Sequence, residues 1–228
     1  DMTPGRFDKS HLDMKVSVVI TCYNLEKYIT RAIHSCINQS LPEQFYEIIV
    51  VDDHSTDNSW ERINEFDFIN TIRHDENKGV ASASNTGIKA STGDYVVRVD
   101  GDDFVNKNFL FSMSEVLNHN DSIGFVYCDY VVVREGNQRT LEINTLDKLL
   151  DHGAGVMFRK KYLESIGLYD EKYKNCEDFD LLLRYMKNFD GYHLRLPYYR
   201  YYKENGLSSK LEERMRIKKE ILEKQNVY

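Results

Sequence analysis

Three carboxylates crowd the end of an apolar stretch in the middle of the chain. Asp100, Asp102 and Asp103 follow the valine-rich run YVVRV. Carboxylates this close repel one another unless a positive charge lies between them, and paired hard oxygen ligands suit Mg²⁺ or Mn²⁺, which then bind phosphate oxygens. Gly101 would let a ligand approach the backbone closely. The alternative is a helix N-cap with acids favoured by the helix dipole at an exposed turn.

Two earlier stretches end in polar residues in the same way. The runs KVSVVITCYN and YEIIVVDDHSTDNS are rich in β-branched residues and end at Thr21 to Asn24 and at Asp52 with Asp53. Helical spacing of apolar residues follows each run. This alternation predicts a mostly parallel sheet with helices on both faces. Because ligands bind beyond the carboxyl ends of such strands, the polar ends are expected to gather on one rim.

The second half is predicted to extend the same sheet. GFVYCDYVVV indicates a strand, REGNQRT a polar turn, and GAGVMFRKKYLESIGLYDE a strand with a short helix. EDFDLLLRYMKN indicates a helix, on which Asp180 is expected to pair with Arg184 at i+4. YHLRLPYYRYY indicates a late edge strand broken by Pro197.

Composition limits the function classes. The 228 residues and 41% hydrophobic content suit one sizeable globular domain. The net charge of -7 argues against a protein that mainly grips nucleic acid. The four cysteines form no metal-ligand spacing, which favours a reducing, cytosolic setting. No apolar run is long enough to span a bilayer, so a cytoplasmic protein, peripheral to a membrane at most, is expected.

The two ends of the chain are interpreted separately. Residues 1–14 are polar and without periodicity, and they are set aside as a leader or tag. Residues 210–228 are predicted to form a basic amphipathic helix. Two readings are open for this helix: contact with an anionic membrane, at the inner face, which would suit a lipid-linked acceptor, or packing on the body or on a second subunit.

Four segments, taken together, resemble a known family. VSVVITCYN, EIIVVDDHSTDNS, NKGVASASNTGIKASTGDYVVRVDGDD and GLYDEKYKNCEDFDLLLRY occur in the order and spacing of family 2 glycosyltransferases, from Val16 to about Ser209. The resemblance implies the α/β GT-A fold, a Rossmann-like, mostly parallel sheet with helices on both faces and a small acceptor-side extension. It also implies one catalytic domain, 15–209, with a nucleotide-binding half, 15–103, and an acceptor-binding half, 104–209.

The resemblance assigns a donor site on the rim. Asp52 and Asp53 match an acidic pair that contacts uracil or ribose; which of them does so is open, and N-capping through Asp53 or Ser55 is compatible with it. Lys78 matches a diphosphate-side position, with a solvated surface charge as the alternative. The implied donor-binding residues are Thr21, Tyr23, Asn24, Glu26, Asp52, Asp53, Lys78, Gly79, Asn85, Asp100, Gly101 and Asp102.

The same resemblance makes Asp102 the ligand of Mn²⁺ or Mg²⁺. Asp100 becomes its partner toward ribose and donor sugar. For Asp103 two roles are open, a water-mediated contact and capping of the next turn, and capping is the expected one. The sequence departs from the family at Ser84, where an arginine is common. Lys78 or Arg98 is the expected substitute for that missing cation.

Asp178 matches the general base of the family, and Glu177 the residue that orients the acceptor or supports the loop. A helix dipole would lower the pKa of such a base and keep it ionised. His152, Gly153 and Ala154 match the segment beneath the acceptor, although a histidine there is also compatible with a core or surface role.

The implied activity is inverting, metal-assisted transfer of a sugar from a nucleotide-sugar, most simply a UDP-sugar, to a hydroxyl of a glycan or lipid-linked glycan. Nucleic acid is not an expected partner. A noncatalytic member of the same fold that binds nucleotide or glycan is the alternative, kept open by Ser84. A sugar-nucleotide pyrophosphorylase would need a Gly-rich, Arg-containing loop that TCYNLEKYI lacks.

Overall fold

The computed structural model describes residues 14–134, 136, 138–203 and 211–225. Most of the predicted leader and residues 204–210, where the catalytic domain is predicted to end, lie outside this part of the chain. The strands are β1 (Val16–Cys22), β2 (Tyr46–Asp52), β3 (Asn70–Arg73), β4 (Tyr95–Asp100), β5 (Phe104–Val105), β6 (Ile123–Arg134), β7 (Gln138–Glu142), β8 (Val156–Arg159) and β9 (Asp190–Tyr202).

Eight α-helices connect or flank these strands within the described residues. They are α1 (Ile29–Ile37), α2 (Ser59–Ile63), α3 (Val80–Ala90), α4 (Phe109–Asn118), α5 (Leu146–His152), α6 (Lys160–Ser165), α7 (Glu177–Met186) and α8 (Leu211–Lys224).

The strands form one sheet in the order β3-β2-β1-β4-β8-β6-β9-β5, with β7 paired to β6. The first four strands are mutually parallel. β8 is antiparallel to β4 and to β6, and β9 is parallel to β6. The prediction of a mostly parallel sheet is confirmed.

Alternate residues of β1 face two separate hydrophobic clusters, so both sides of the sheet are covered. Val18 and Ile33 of α1 belong to one cluster. Val19, Ile88 of α3 and Leu182 of α7 belong to the other. All of them are nearly inaccessible to solvent, which explains why the strands read as continuous apolar runs instead of alternating ones.

The last strand differs from the prediction. Pro197 does not break it, because β9 is one continuous strand. The proline lies at an irregularity in the pairing with β6. On its other side β9 is paired, within the described residues, only where Tyr199 and Arg200 meet the short strand β5. A missing N–H group is tolerated at a bulge beside a largely open edge.

Three elements of the second half were not predicted, the two-residue strand β5, β7 and α5. The stretch interpreted as a polar turn contains the first three residues of β7, which pairs with the distal part of β6. The helix α5 follows it and ends at Gly153, which has a φ of 55°. Because β7 is largely exposed, its sequence lacks the apolar pattern that marks a buried strand.

The C-terminal helix α8 packs on the body. Ile221 is fully buried, in a cluster with Tyr173 and Phe179. Lys224 reaches Asp170 at 3.0 Å. Of the two readings of this helix, packing on the body is the one that the structure supports. In the described part of the chain, no helix has the length and apolar character that crossing a bilayer requires.

Candidate active site

The carboxyl ends of β1, β2 and β4 lie side by side, as predicted. Cys22 is in register with Asp52, and Thr21 is in register with Asp100. Thr21 is buried, whereas Tyr23 is 46% exposed on the rim. The sheet therefore gathers the three polar strand ends at one edge.

Asp53 is buried and its carboxylate is occupied by the protein. Oδ1 accepts the Lys78 N–H at 2.9 Å and lies 2.6 Å from Nδ1 of His74, while Oδ2 accepts the Gly79 N–H at 2.7 Å. These bonds attach the loop before α3 to the end of β2. Asp53 therefore fixes the position of this loop. Direct contact of Asp53 with a nucleotide stays a prediction.

Asp52 is engaged through one oxygen. Its Oδ2 accepts the Ser55 N–H at 3.2 Å and pairs with Nε of Arg73 at 3.1 Å. Its Oδ1 is buried and has no hydrogen-bond partner in the described structure. N-capping by Asp53 or Ser55 does not occur, because the N-cap of α2 is Asn58.

Asn24 and Glu26 join the loops that follow β1 and β2. Oδ1 of Asn24 accepts the Thr56 N–H at 2.8 Å. Oε2 of Glu26 accepts from the N–H and the side-chain amide of Asn58, at 3.1 and 2.9 Å. Both side chains were expected at the nucleotide, and the structure gives them the further role of holding the rim together.

The loop before α3 carries two lysines. Lys78 bonds Asp75 at 2.8 Å and is partly exposed. Lys174 donates to the Lys78 carbonyl at 2.6 Å and lies 3.2 Å from the position of a Cβ on Gly79. Ser84 is fully buried. Lys174 is therefore a cation beside this loop that the sequence did not single out.

Asn85 holds the loop before α7. Its amide nitrogen donates to the Tyr169 carbonyl and to Glu171, both at 2.9 Å, and its Oδ1 accepts the Tyr169 N–H at 3.0 Å. The side chain is buried. A direct donor contact by Asn85 stays a prediction, whereas its attachment of the Tyr169 backbone is observed.

The turn after β4 is closed by protein on one side. A Cβ on Gly101 would lie 2.7 Å from the Thr21 carbonyl and 2.9 Å from Leu25, and the Gly101 N–H donates to that carbonyl at 3.0 Å. The glycine therefore leaves room for the Thr21 carbonyl and for Leu25, a reason that the sequence does not show, and the approach of a ligand to its backbone stays a prediction.

Asp103 is buried and anchors β9. Its Oδ1 accepts the Tyr202 N–H at 2.7 Å, so it does not cap the next turn. Burial, and then the charges of Asp102 and Asp100, raise the pKa of Asp103 well above its usual value. Contact of Asp100 and Asp102 with a ligand stays a prediction.

Arg31 of α1 supports the same turn. Its guanidinium donates to the Asp102 carbonyl at 2.6 Å. It lies over the rings of Phe104, Tyr202 and Tyr28, with 4.5, 4.9 and 5.6 Å from Cζ to the ring centroids. These cation–π contacts hold Arg31 against the turn.

Arg98 of β4 contacts three carboxylates. Its Nε is 3.0 Å from Asp100, its Nη1 is 3.2 Å from Glu177, and its Nη2 is 2.9 Å from Asp178. The Arg98 side chain is only 11% exposed. The cation expected to replace the missing arginine at Ser84 thus faces the acids of α7.

Asp178 lies against the segment that precedes β8. A Cβ on Gly153 would be 2.5 Å from Asp178 Cγ and 2.8 Å from its Oδ1. Burial raises the pKa of Asp178 to about 7; Arg98 lowers it, and Glu177 and Asp100 raise it. The expected effect of the helix dipole is therefore overturned, because desolvation exceeds it.

His152 stands beside this contact. Its Nδ1 accepts the Ala154 N–H at 3.2 Å, and its ring stacks on Tyr201 and meets Tyr130 edge-on. Burial lowers the pKa of His152 to about 4, so the ring is neutral at pH 7. The predicted acceptor segment lies next to Asp178, and its histidine is a packed aromatic residue.

The comparison with known families decides the relationship. A model described as Glycosyl transferase family 2 matches residues 17–186, which is most of the chain. The chain belongs to glycosyl transferase family 2. An uncharacterized glycosyltransferase of Haemophilus influenzae is 34% identical over 60% of this chain and 55% of its own length.

A poly(ribitol-phosphate) beta-glucosyltransferase of Bacillus spizizenii is 36% identical over 48% of this chain and 18% of its own length. The chain thus spans about half of the length of the first relative and 18% of the length of the second.

Solved structures show the fold. Staphylococcus aureus TarS, residues 1–349 in complex with UDP-GlcNAc, matches with a TM-score of 0.77 at 24% identity, over 91% of this chain and 65% of that one. The mannosyltransferase PcManGT of Pyrobaculum calidifontis, in complex with GDP-Man and Mn²⁺, gives 0.68 at 19% identity, over 90% and 61%. The predicted GT-A fold is confirmed.

The donor set suits a divalent cation in this family member. In the described ranges no three His, Cys, Asp or Glu side chains cluster as a complete metal site. Asp100 and Asp102 supply hard oxygen ligands on an open rim, and a divalent ion that keeps several waters or phosphate oxygens needs no more than one or two carboxylates. The residues present therefore fit such an ion when a donor supplies the remaining oxygens.

Arg98, Lys174 and Arg31 are the site residues that sequence reasoning missed or underrated. The sequence does carry a signal for Arg98, since a cation inside the apolar run YVVRV must find a partner when the strand is buried. It carries none for Lys174 and Arg31, because the backbone carbonyls that they bond, those of Lys78 and Asp102, are far away in the sequence.

Proposed function

We propose that this chain is the catalytic domain of an inverting glycosyltransferase, which moves a sugar from a nucleotide-sugar to a hydroxyl of a glycan. The observation that carries the proposal is the position of Asp178. Its carboxylate lies over Gly153 in the segment predicted to hold the acceptor, and Arg98 connects it to Asp100 at the donor rim. The proposed general base and an acid on the donor side thus contact the same guanidinium.

Asp178 acts as the general base. One oxygen, Oδ2, is held by Arg98 at 2.9 Å, so the other takes the proton of the acceptor hydroxyl. The acceptor oxygen forms a bond to the anomeric carbon from the face opposite the leaving group. The bond from that carbon to the phosphate oxygen breaks, and its electron pair leaves with the nucleoside diphosphate. A pKa near 7 suits such proton transfer.

The donor lies on the rim formed by β1, β2 and β4. The exposed ring of Tyr23 supports a contact with the base, and the unpaired Oδ1 of Asp52 favours Asp52 over the fully bonded Asp53 for any acid contact with the nucleotide. We assign UDP as the nucleotide, which the complexes of TarS with UDP and UDP-GlcNAc support.

Asp102 and Asp100 would hold the Mn²⁺ or Mg²⁺. The ion would neutralise charge that develops on the departing diphosphate. The complex of PcManGT with GDP-Man and Mn²⁺ supports this assignment. Activity after exhaustive EDTA treatment tests it: loss with recovery on adding Mn²⁺ is expected, and full retention rules it out.

The acceptor is a surface glycan or a lipid-linked glycan. The name of the Bacillus relative, a poly(ribitol-phosphate) glucosyltransferase, supports a polyhydroxylated polymer. His152, Gly153 and Ala154 form the floor beneath it. Contact of α8 with a membrane would use its other side chains, because Ile221 is already buried.

The decisive experiment replaces the base. Asp178→Asn should lower turnover on the order of 10³-fold, since general base catalysis contributes 10²–10⁴-fold. UDP-glucose, UDP-N-acetylglucosamine, UDP-galactose and GDP-mannose serve as donors, and poly(ribitol-phosphate) and p-nitrophenyl glycosides as acceptors. Asp147→Asn, an exposed acid in the first turn of α5, is the matched control and should retain activity.

Normal turnover by Asp178→Asn would refute the role of Asp178. If the unchanged protein neither transfers nor hydrolyses any donor of the panel but binds UDP, the noncatalytic alternative is correct.

A further inference from the structure

Arg98 occupies an unusual position for a cation. It lies on the central strand β4, between valines in the sequence, on the same face as Asp100 two residues later. Burying a guanidinium is costly unless it is paired and fully hydrogen-bonded. Three carboxylates from two elements compensate the charge of Arg98: Asp100 of β4, and Glu177 and Asp178 of α7.

Each of the three carboxylates lies next to a different nitrogen of the guanidinium. Nε faces Asp100, Nη1 faces Glu177 and Nη2 faces Asp178, at 3.0, 3.2 and 2.9 Å. The ring of Tyr169 lies beside it, 5.4 Å from Cζ. A planar fork with fixed donor directions can hold three groups in set orientations, whereas a lysine ammonium on a flexible stem cannot.

Asp178 is restrained from two sides. Arg98 holds Oδ2, and the bare backbone of Gly153 lies against Oδ1 and Cγ. The carboxylate can rotate or withdraw only if one of these contacts is lost. Its orientation in the pocket is therefore fixed by a residue of the donor half of the fold.

We propose that Arg98 is a positioning residue for the base, which holds Oδ2 of Asp178 so that Oδ1 receives the acceptor proton. The inference rests on the proposed function of Asp178 and adds to it. Arg98 also forms an ion pair with Asp100 at 3.0 Å, without a hydrogen bond to its Oδ1, so one guanidinium lies between the acid toward the donor sugar and the base toward the acceptor. A misplacement of about 1 Å at a reacting group can cost 10²-fold in rate.

The first test needs no substrate. In crystal structures of Arg98→Gln and Arg98→Lys, the Asp178 carboxylate is expected to leave its place over Gly153, by about 1 Å or more in the glutamine variant. Arg159→Gln is the matched control: Arg159 is also buried, but it bonds backbone carbonyls of Ile123, Leu117 and Asn120. An unmoved carboxylate in Arg98→Gln would overturn the proposal.

The second test is a double-mutant cycle in turnover, with the donor and acceptor of the panel above that give the highest rate. Arg98→Gln alone should lose about 10²-fold in kcat. In the Asp178→Asn background it should lose less than about threefold, because there is no longer a base to position. Arg98→Lys should fall between the unchanged protein and the glutamine variant, and Arg159→Gln should reduce stability without this dependence on Asp178.

The outcomes separate two failures. If Asp178→Asn is fully active, the proposed base is wrong. If Asp178→Asn is inactive but the loss from Arg98→Gln is as large in that background as alone, Arg98 has only a structural role. If the glutamine variant does not fold, Arg98→Lys carries both tests, since it keeps the buried charge and removes only the fork.

Discussion

The two halves of the molecule hold their acids in different ways. Asp53, in the parallel half, is fixed by three bonds from residues of that same half, two of them from backbone N–H groups. Asp178, in the other half, pairs among the described residues with one cation, Arg98, which comes from β4. The first carboxylate is thus part of the local chain path, and the second depends on how the two halves meet.

This difference indicates that Asp53 mainly stabilises the fold, whereas Asp178 has an oxygen left for the reaction. Backbone N–H donors cannot be withdrawn without unfolding a loop, so an acid that binds them contributes to stability. An acid held by one side chain in a buried pocket keeps an oxygen for another partner. We therefore expect substitutions on the donor side to act mainly on stability and those on the acceptor side mainly on rate.

The largest effect is expected from Asp53→Ala. It leaves the Lys78 and Gly79 N–H groups and His74 without their acceptor, which should cost about 3 kcal/mol of unfolding free energy. Urea denaturation measures the loss. Asp75→Ala removes an exposed partner of Lys78 and should leave the unfolding free energy nearly unchanged, because water screens this pair. Equal effects of the two substitutions would contradict the distinction.

Gly153→Ala should act on rate instead. The new methyl group would meet Asp178 Cγ at 2.5 Å, and displacement of the base should lower kcat by about 10²-fold. Gly167→Ala is the control, because Gly167 also has a positive φ, 90°, but nothing lies within 4 Å of its Cβ position. Both variants should lose about 1 kcal/mol of stability from the strained backbone, and only Gly153→Ala should lose activity.

The pH dependence of kcat/KM is expected to be a smaller effect than those of the two substitutions above. Because burial raises the pKa of Asp178 to about 7, kcat/KM should fall about tenfold per pH unit below that value as the base becomes protonated. The sign for stability is opposite: the folded state binds this proton more tightly than the unfolded state, so the contribution to unfolding free energy declines as pH rises from about 4 to about 7. Activity that stays flat down to about pH 5.5 would disagree with this assignment.

The smallest effect is expected at the C-terminal helix. Ile221→Val removes one methyl group from a fully buried position and should cost about 1 kcal/mol. Met215→Ala, at a position 56% exposed on the same helix, should cost less than about 0.5 kcal/mol. Thermal unfolding compares them, and equal losses would mean that α8 does not pack as described.

The parallel half could be predicted from sequence because its signals are local. Buried parallel strands give continuous apolar runs such as VSVVIT, and each is followed by a helix with clear periodicity. The second half lacks such signals. β7 is exposed, and α5 has a single fully buried residue, Leu149. The path of β9 past Pro197 depends on a bulge against β6, which no local pattern reports.

For a similar reason, the sequence predicted some residues of the site and missed contacts between others. The resemblance to a family identified Asp178 and Gly153, and the structure places them in contact. The sign of the Asp178 pKa shift was wrong, since the helix dipole is visible in a sequence and the desolvation of a side chain is not. Arg98 and Asp178 are eighty residues apart in the chain, so their contact required the fold.

The position of α8 has a consequence for motion. Arg214 and Lys218 bond Asp151, just before Gly153, and the Cys176 thiol, just before Glu177, contacts the Arg214 carbonyl. One helix therefore restrains both segments that meet at the base. Loss of these α8 contacts should therefore speed the exchange of amide hydrogens with solvent at the C-terminal end of α5 and the start of α7.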